Sequence, residues 1–168
     1  NKEFGVFCPG CPYYEKDAAI GEFPPIPAGE PMESIPSDGM KRIIIVKLDA
    51  VGDVLRTTSI LPSLKQKFSE SSITWITRSR SYEVLKDNDM ISEIYFVSDE
   101  LDHVYDTTYD IAINLDSGAD SCEVMSRIKA NNAYGYTLVS TRPYPINTLA
   151  NEWYLMGVDD NAKKRNQK

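Results

Sequence analysis

KRIIIVKLDAVGDVLRTTSILP, residues 41–62, is the stretch whose reading decides the fold. Arg42 to Leu48 (RIIIVKL) is a short, nearly continuous β-branched run, the pattern of a central parallel strand buried on both faces. Asp49 to Gly52 reads as a turn, with Gly52 letting the backbone turn closely. Asp53 then opens a helix running to Phe68. Val54, Leu55, Ile60, Leu61, Leu64 and Phe68 fall at roughly helical spacing, and Pro62 is expected to kink this helix or end a first short piece.

Outward from this unit the alternation continues. Ser72–Thr77 (SITWIT) predicts a second strand with Trp75 in the core. Tyr82–Lys86 suggests a short helix, Ile94–Val97 a third strand and Asp110–Leu115 (DIAINL) a fourth, preceded by a polar stretch with room for a short helix. Cys122–Ala130 is helical in pattern, Ala133–Tyr136 fits a last short strand, and Thr148–Met156 another helix. Strands and helices alternating at this spacing imply right-handed βαβ units. The expected fold is therefore α/β, a Rossmann-like parallel sheet with helices on both faces, over residues 40–158.

Residues 1–39 read as an extension without its own core. Seven prolines between Pro9 and Pro36 interrupt helices and strands alike, and Phe4, Phe7, Tyr13, Tyr14 and Phe23 are expected to pin it to the main domain. Residues 159–168 are polar and basic and end without a strand, as at the start of an interdomain linker or a truncated end.

The net charge of −7 argues against nucleic acid as a partner, which needs clustered cations on a basic face. No run of about 18 apolar residues occurs, and the amino terminus has no basic region followed by an apolar stretch. The expectation is a cytoplasmic protein. Three cysteines suit a reducing compartment better than a disulfide framework. Cys8-Pro-Gly-Cys11 has the spacing of half a tetrahedral site, a structural zinc or iron knuckle whose distant completing candidates are Cys122 and His103. The competing reading is a tight turn with incidental cysteines, and His103, in an acidic loop, otherwise reads as exposed and idle.

The chemistry is expected at the first strand-to-helix turn, because in a doubly wound sheet the ligand lies beyond the carboxyl ends of the strands. DAVGDVLRTT, residues 49–58, has one glycine rather than a dinucleotide fingerprint and no Walker lysine. Asp53 taken alone reads as a helix cap. Arg56, Thr57, Arg78, Arg80 and Asp116 are candidates for holding a ligand, with helix back-bonding, solvated loops and turn formation as their plainer roles.

Residues 41–62 resemble the opening of the glycosyltransferase family nine enzymes, the ADP-heptose lipopolysaccharide heptosyltransferases and their relatives, whose first strand runs into a turn ending Gly-Asp-(Val/Ile). The likeness continues through Ile73–Thr77, through Tyr109–Asp116 (YDIAINLD) and through Asn151–Gly157 (NEWYLMG). The resemblance implies the N-terminal half of a GT-B enzyme. This half holds a sugar or glycolipid acceptor, with Asp53 as general base for inverting transfer and Gly52, Arg56, Thr57, Arg78, Arg80 and Asp116 lining the acceptor side. A C-terminal domain would bind the donor nucleotide-sugar, ADP-heptose in the family, with no metal required for catalysis. A peripheral contact with the inner membrane surface is compatible with a glycolipid acceptor. Arg56 stands where the family usually has His, and Asp116-Ser117 where it has Gln-Gly, so acceptor and sugar are free to differ. The alternative is a non-catalytic Rossmann-like docking module stabilised by the cysteine knuckle.

Overall fold

The computed structural model describes residues 27–139 and 142–147. Cys8, Cys11, the amino-terminal aromatics, the helix expected over Thr148–Met156 and the tail 159–168 lie outside these residues.

The strands are β1 (Lys41–Val46), β2 (Ser71–Thr77), β3 (Glu93–Phe96), β4 (Thr108–Asn114), β5 (Lys129–Val139) and β6 (Arg142–Pro145). They form one sheet in the order β3-β2-β1-β4-β5-β6. The first five are mutually parallel and β6 pairs antiparallel with β5. From β1 the chain moves outward to β2 and β3, then crosses back to lay β4 against the other side of β1. The direction of winding therefore reverses between β1 and β4, which opens a crevice at their carboxyl ends.

The apolar run of β1 divides by alternation. Ile43 and Ile45 enter one core with Ile73, Trp75, Ile111, Val54, Leu61, Leu64 and Phe68. Ile44 and Val46 enter the other with Ile76, Leu101, Val104, Ala112, Val124 and Met125. Helices α1 (Val51–Thr57) and α2 (Leu61–Lys67) cover the first face, and α3 (Asp102–Asp106) and α4 (Ala119–Arg127) the second. Both faces of β1 are thus dry, and each fully buried Ile contributes on the order of 2 kcal/mol. Trp75 is fully buried, as its place in a strand implied.

Several boundaries differ from the expectation. The helix expected over Asp53–Phe68 begins at Val51 and breaks through a 3-10 turn at Thr58–Ile60 into α1 and α2. Pro62 sits in the first turn of α2, where its missing N–H is harmless. Gly52 has no positive φ and open space where a Cβ would stand, so it does not serve a tight turn. The element after β2 is a 3-10 helix, Ser79–Val84. The helix expected at Cys122–Ala130 starts earlier and ends at Arg127, and the following chain is the eleven-residue β5. β6 was not foreseen. Its sequence, RPYP, carries two prolines, which an antiparallel edge strand tolerates because ladder donors on its outer side are not required.

The described end of the amino-terminal segment packs on the sheet. Ile35 is buried in the first core with Met32 against it. Tyr134 Oη donates to the Glu30 carbonyl at 2.9 Å, and Lys67 Nζ donates to the Glu33 carbonyl at 3.1 Å.

Candidate functional site

A buried polar network occupies the crevice between β1 and β4. Lys47 and Asp116, both nearly inaccessible, form an ion pair. The second oxygen of Asp116 accepts the backbone N–H groups of Leu48 at 2.6 Å and Asp49 at 3.2 Å. Asn114 Oδ1 accepts the Asp116 N–H at 3.0 Å, while its Nδ2 donates to the Tyr136 carbonyl at 2.8 Å. A buried ion pair survives only where its remaining hydrogen-bonding capacity is met, and here the strand ends of β1, β4 and β5 meet it. On the other side of β1, Thr77 Oγ1 donates to the Lys47 carbonyl at 2.9 Å.

Gly135, opposite Asn114 in the β4–β5 register, lets these strands close. Its φ is +98°, and a Cβ there would stand 1.7 Å from the Asn114 carbonyl oxygen.

Above the network lies a cavity of about 270 Å³. Its walls are Leu48 and Asp49 after β1, Arg78 and Arg80 after β2, Asp116 after β4, and Gly118–Ser121 at the start of α4. Arg78 pairs with Asp120 at 2.5 Å. Arg80 reaches the carbonyls of Leu48 and Asp49 at 3.5 and 3.3 Å. Arg78, Arg80 and Asp116 therefore converge on one cavity, as their positions after strands suggested. Asp116 contributes mainly from beneath, because its carboxylate is already engaged.

Asp53, Arg56 and Thr57 lie on α1 and are not among the walls of the cavity. Asp53 lies in the first turn, its side chain 40% exposed and paired with Arg56 at 2.9 Å. It makes no capping hydrogen bond: Ala50 is the cap residue, with no side-chain bond to the helix. Arg56 is 82% exposed. Thr57 is buried, and its hydroxyl donates to the Asp53 carbonyl at 2.8 Å, so it is a helix-packing residue rather than a surface for ligand.

The two distant candidates for completing a cysteine metal site do not come together. Cys122 is a free, fully buried thiol. Its Sγ donates to the Asp116 carbonyl at 3.6 Å, and burial pushes the thiol up to about 11, so the thiolate that a metal needs is disfavoured. His103 is exposed on α3, edge-on to Tyr95 at 4.9 Å. Among the described residues no cluster of three metal-ligating side chains occurs.

Sequence reasoning missed Lys47, Asn114 and Asp120, and took Asp49 only as part of a turn. Lys47 did leave a signal, a cation inside an otherwise apolar central strand.

Among solved structures, a family 9 glycosyl transferase from Veillonella parvula superposes with a TM-score of 0.54 at 26% identity, covering 61% of this chain and 33% of that one. The fold is that of the family-nine glycosyltransferases. E. coli heptosyltransferase WaaC, solved with ADP, has the same fold at 15% identity, with a TM-score of 0.50, 56% of this chain and 36% of that one covered. This chain thus spans about a third of the length of the solved family-nine structures it matches. No family model and no curated protein matches the sequence. Within this fold, the strand that precedes Gly52 and Asp53 is internal to the sheet, and the Asp53 side chain is 40% exposed rather than buried in either core.

Proposed function

We propose that this chain is the acceptor-side domain of an inverting glycosyltransferase that uses a nucleotide-sugar donor, heptosyltransferase-like, in lipopolysaccharide or glycoconjugate assembly. The observation that carries the reading is a half-exposed carboxylate, Asp53, on the helix that leaves the switch point of a family-nine fold. Inverting transfer needs a carboxylate to take the proton from the acceptor hydroxyl as its oxygen attacks the anomeric carbon while the nucleoside diphosphate departs. Asp53 is free for this once Arg56 swings aside, since an exposed pair of this kind is held by less than about 1 kcal/mol.

Arg78 and Arg80, on the cavity wall, would hold anionic or hydroxyl groups of the acceptor. Arg56 would meet it from the helix side. The donor and the groups that stabilise its diphosphate belong to a second domain facing this one, and the scheme requires no metal ion because cationic side chains can perform that role. Cytoplasmic location with a peripheral contact at the inner membrane surface accords with a glycolipid acceptor; no described helix is long and apolar enough to cross a membrane.

The test is Asp53→Asn in the complete two-domain protein. Turnover should fall at least about a hundredfold, the scale of a lost general base, with the thermal unfolding midpoint unchanged. Undiminished turnover would leave Asp53 as a helix-surface residue.

A further inference from the structure

The Leu48–Asp49 segment is gripped from both sides. Its two N–H groups are donated to the buried Asp116 carboxylate, and its two carbonyls accept from the Arg80 guanidinium. Backbone held by four such bonds is a fixed platform, and the side chain it fixes is Asp49. That carboxylate is 64% exposed and stands on the cavity wall. Among the described residues its nearest charged neighbour is Lys47 Nζ at 3.9 Å, which is already paired with Asp116, and it accepts no hydrogen bond. Every other charged side chain around the cavity has a polar partner: Arg78 with Asp120, Arg80 with the two carbonyls, Asp116 with Lys47. Asp49 is a rigidly mounted acceptor with open valence, facing a cavity large enough for a sugar ring.

We propose that Asp49 is a specificity-determining carboxylate of this site, accepting a hydrogen bond from a ring hydroxyl of a sugar whose anionic substituent lies against Arg80. This rests on the glycosyl-transfer reading and adds a second ligand-facing acid to it. Asp49 recognises hydroxyls, whereas Asp53 takes the proton. A fixed acceptor prefers ligands that present a donor at its position, because a ligand lacking that donor would leave the carboxylate desolvated and unpaired.

The probes are glucose 6-phosphate, inorganic phosphate and glucose, titrated into the isotope-labelled 168-residue chain while amide shifts are followed. Glucose 6-phosphate should bind more tightly than inorganic phosphate and move the Asp49 and Ser121 amides. Asp49→Ala should weaken it about tenfold, as for loss of one charge-assisted hydrogen bond, and leave phosphate binding intact. Asp49→Asn, which keeps an acceptor but loses the charge, should fall between. Because the Asp49 side chain is exposed and makes no internal hydrogen bond, the remaining amide spectrum should superimpose on the parent's. Equal affinity for glucose 6-phosphate in parent and Asp49→Ala overturns the proposal, as does binding of phosphate and sugar phosphate alike, or of neither. The readout is binding rather than turnover, so failure here leaves the Asp53 proposal standing, and loss of the latter leaves this measurement valid.

Discussion

The crevice at the end of β1 has two tiers that use the same residue types in opposite ways. In the lower tier, Lys47, Asp116 and Asn114 are buried, and their side chains are bonded to one another's segments and to the ends of neighbouring strands. In the upper tier, Asp53 pairs with Arg56 and Arg78 with Asp120 through single contacts between side chains open to water, and Asp49 is 64% exposed. Burial decides the difference. A buried charge without its partner is costly by several kcal/mol, so the lower tier is fixed. An exposed pair is nearly neutral energetically, so the upper tier is free to exchange its partners for a ligand.

The largest effect should come from breaking the lower tier. Asp116→Ala leaves Lys47 buried without its main counter-charge and should lower unfolding free energy by about 3–5 kcal/mol in denaturant titrations. Removing both charges in Lys47→Met with Asp116→Ala should cost much less than the sum of the singles; strict additivity would mean that the two side chains are not coupled. Gly135→Ala tests the seam beneath Asn114. Adding positive-φ strain to a backbone clash should destabilise by about 2–4 kcal/mol, and an unchanged melting midpoint would contradict the close approach of β5 to β4.

A smaller effect should appear at high pH. The Cys122 thiol titrates near 9 when unfolded and is raised to about 11 by burial in the native state. The unfolded chain therefore loses its proton first, and the stability Cys122 confers, complete below about pH 9, declines as pH rises toward 11. Unfolding free energy of the parent should fall more steeply over that window than that of Cys122→Ala; parallel curves would show that the thiol is not shielded. Smallest of all, Arg56→Ala should change stability by no more than about 0.5 kcal/mol. A greater loss would place the Asp53–Arg56 pair in the fixed tier and undercut its availability for chemistry.

The central strands were legible in the sequence because burial on both faces writes itself as unbroken β-branched runs, as in Ile43–Val46. The edge was not. β5 contains Asn131, Asn132 and Gly135, and β6 two prolines; what holds them is pairing to β4 and to each other, which no local pattern records. The same distinction applies to the site. Arg78 and Arg80 could be placed because they follow a recognisable strand. The commitment of Asp116 could not, since its partner lies 69 residues earlier. Gly52 misled through a local rule: a glycine after a strand suggests a tight turn, yet here the helix has already begun.

The hydrogen bond from Tyr134 to Glu30 joins residues 104 apart in sequence, and Gly29 lies directly against Asn147. Residues 29 and 147, near the two limits of the described residues, are thus neighbours. The two limits of the described residues are thereby fastened together like a buckled belt, so that strain at one is shared by the other.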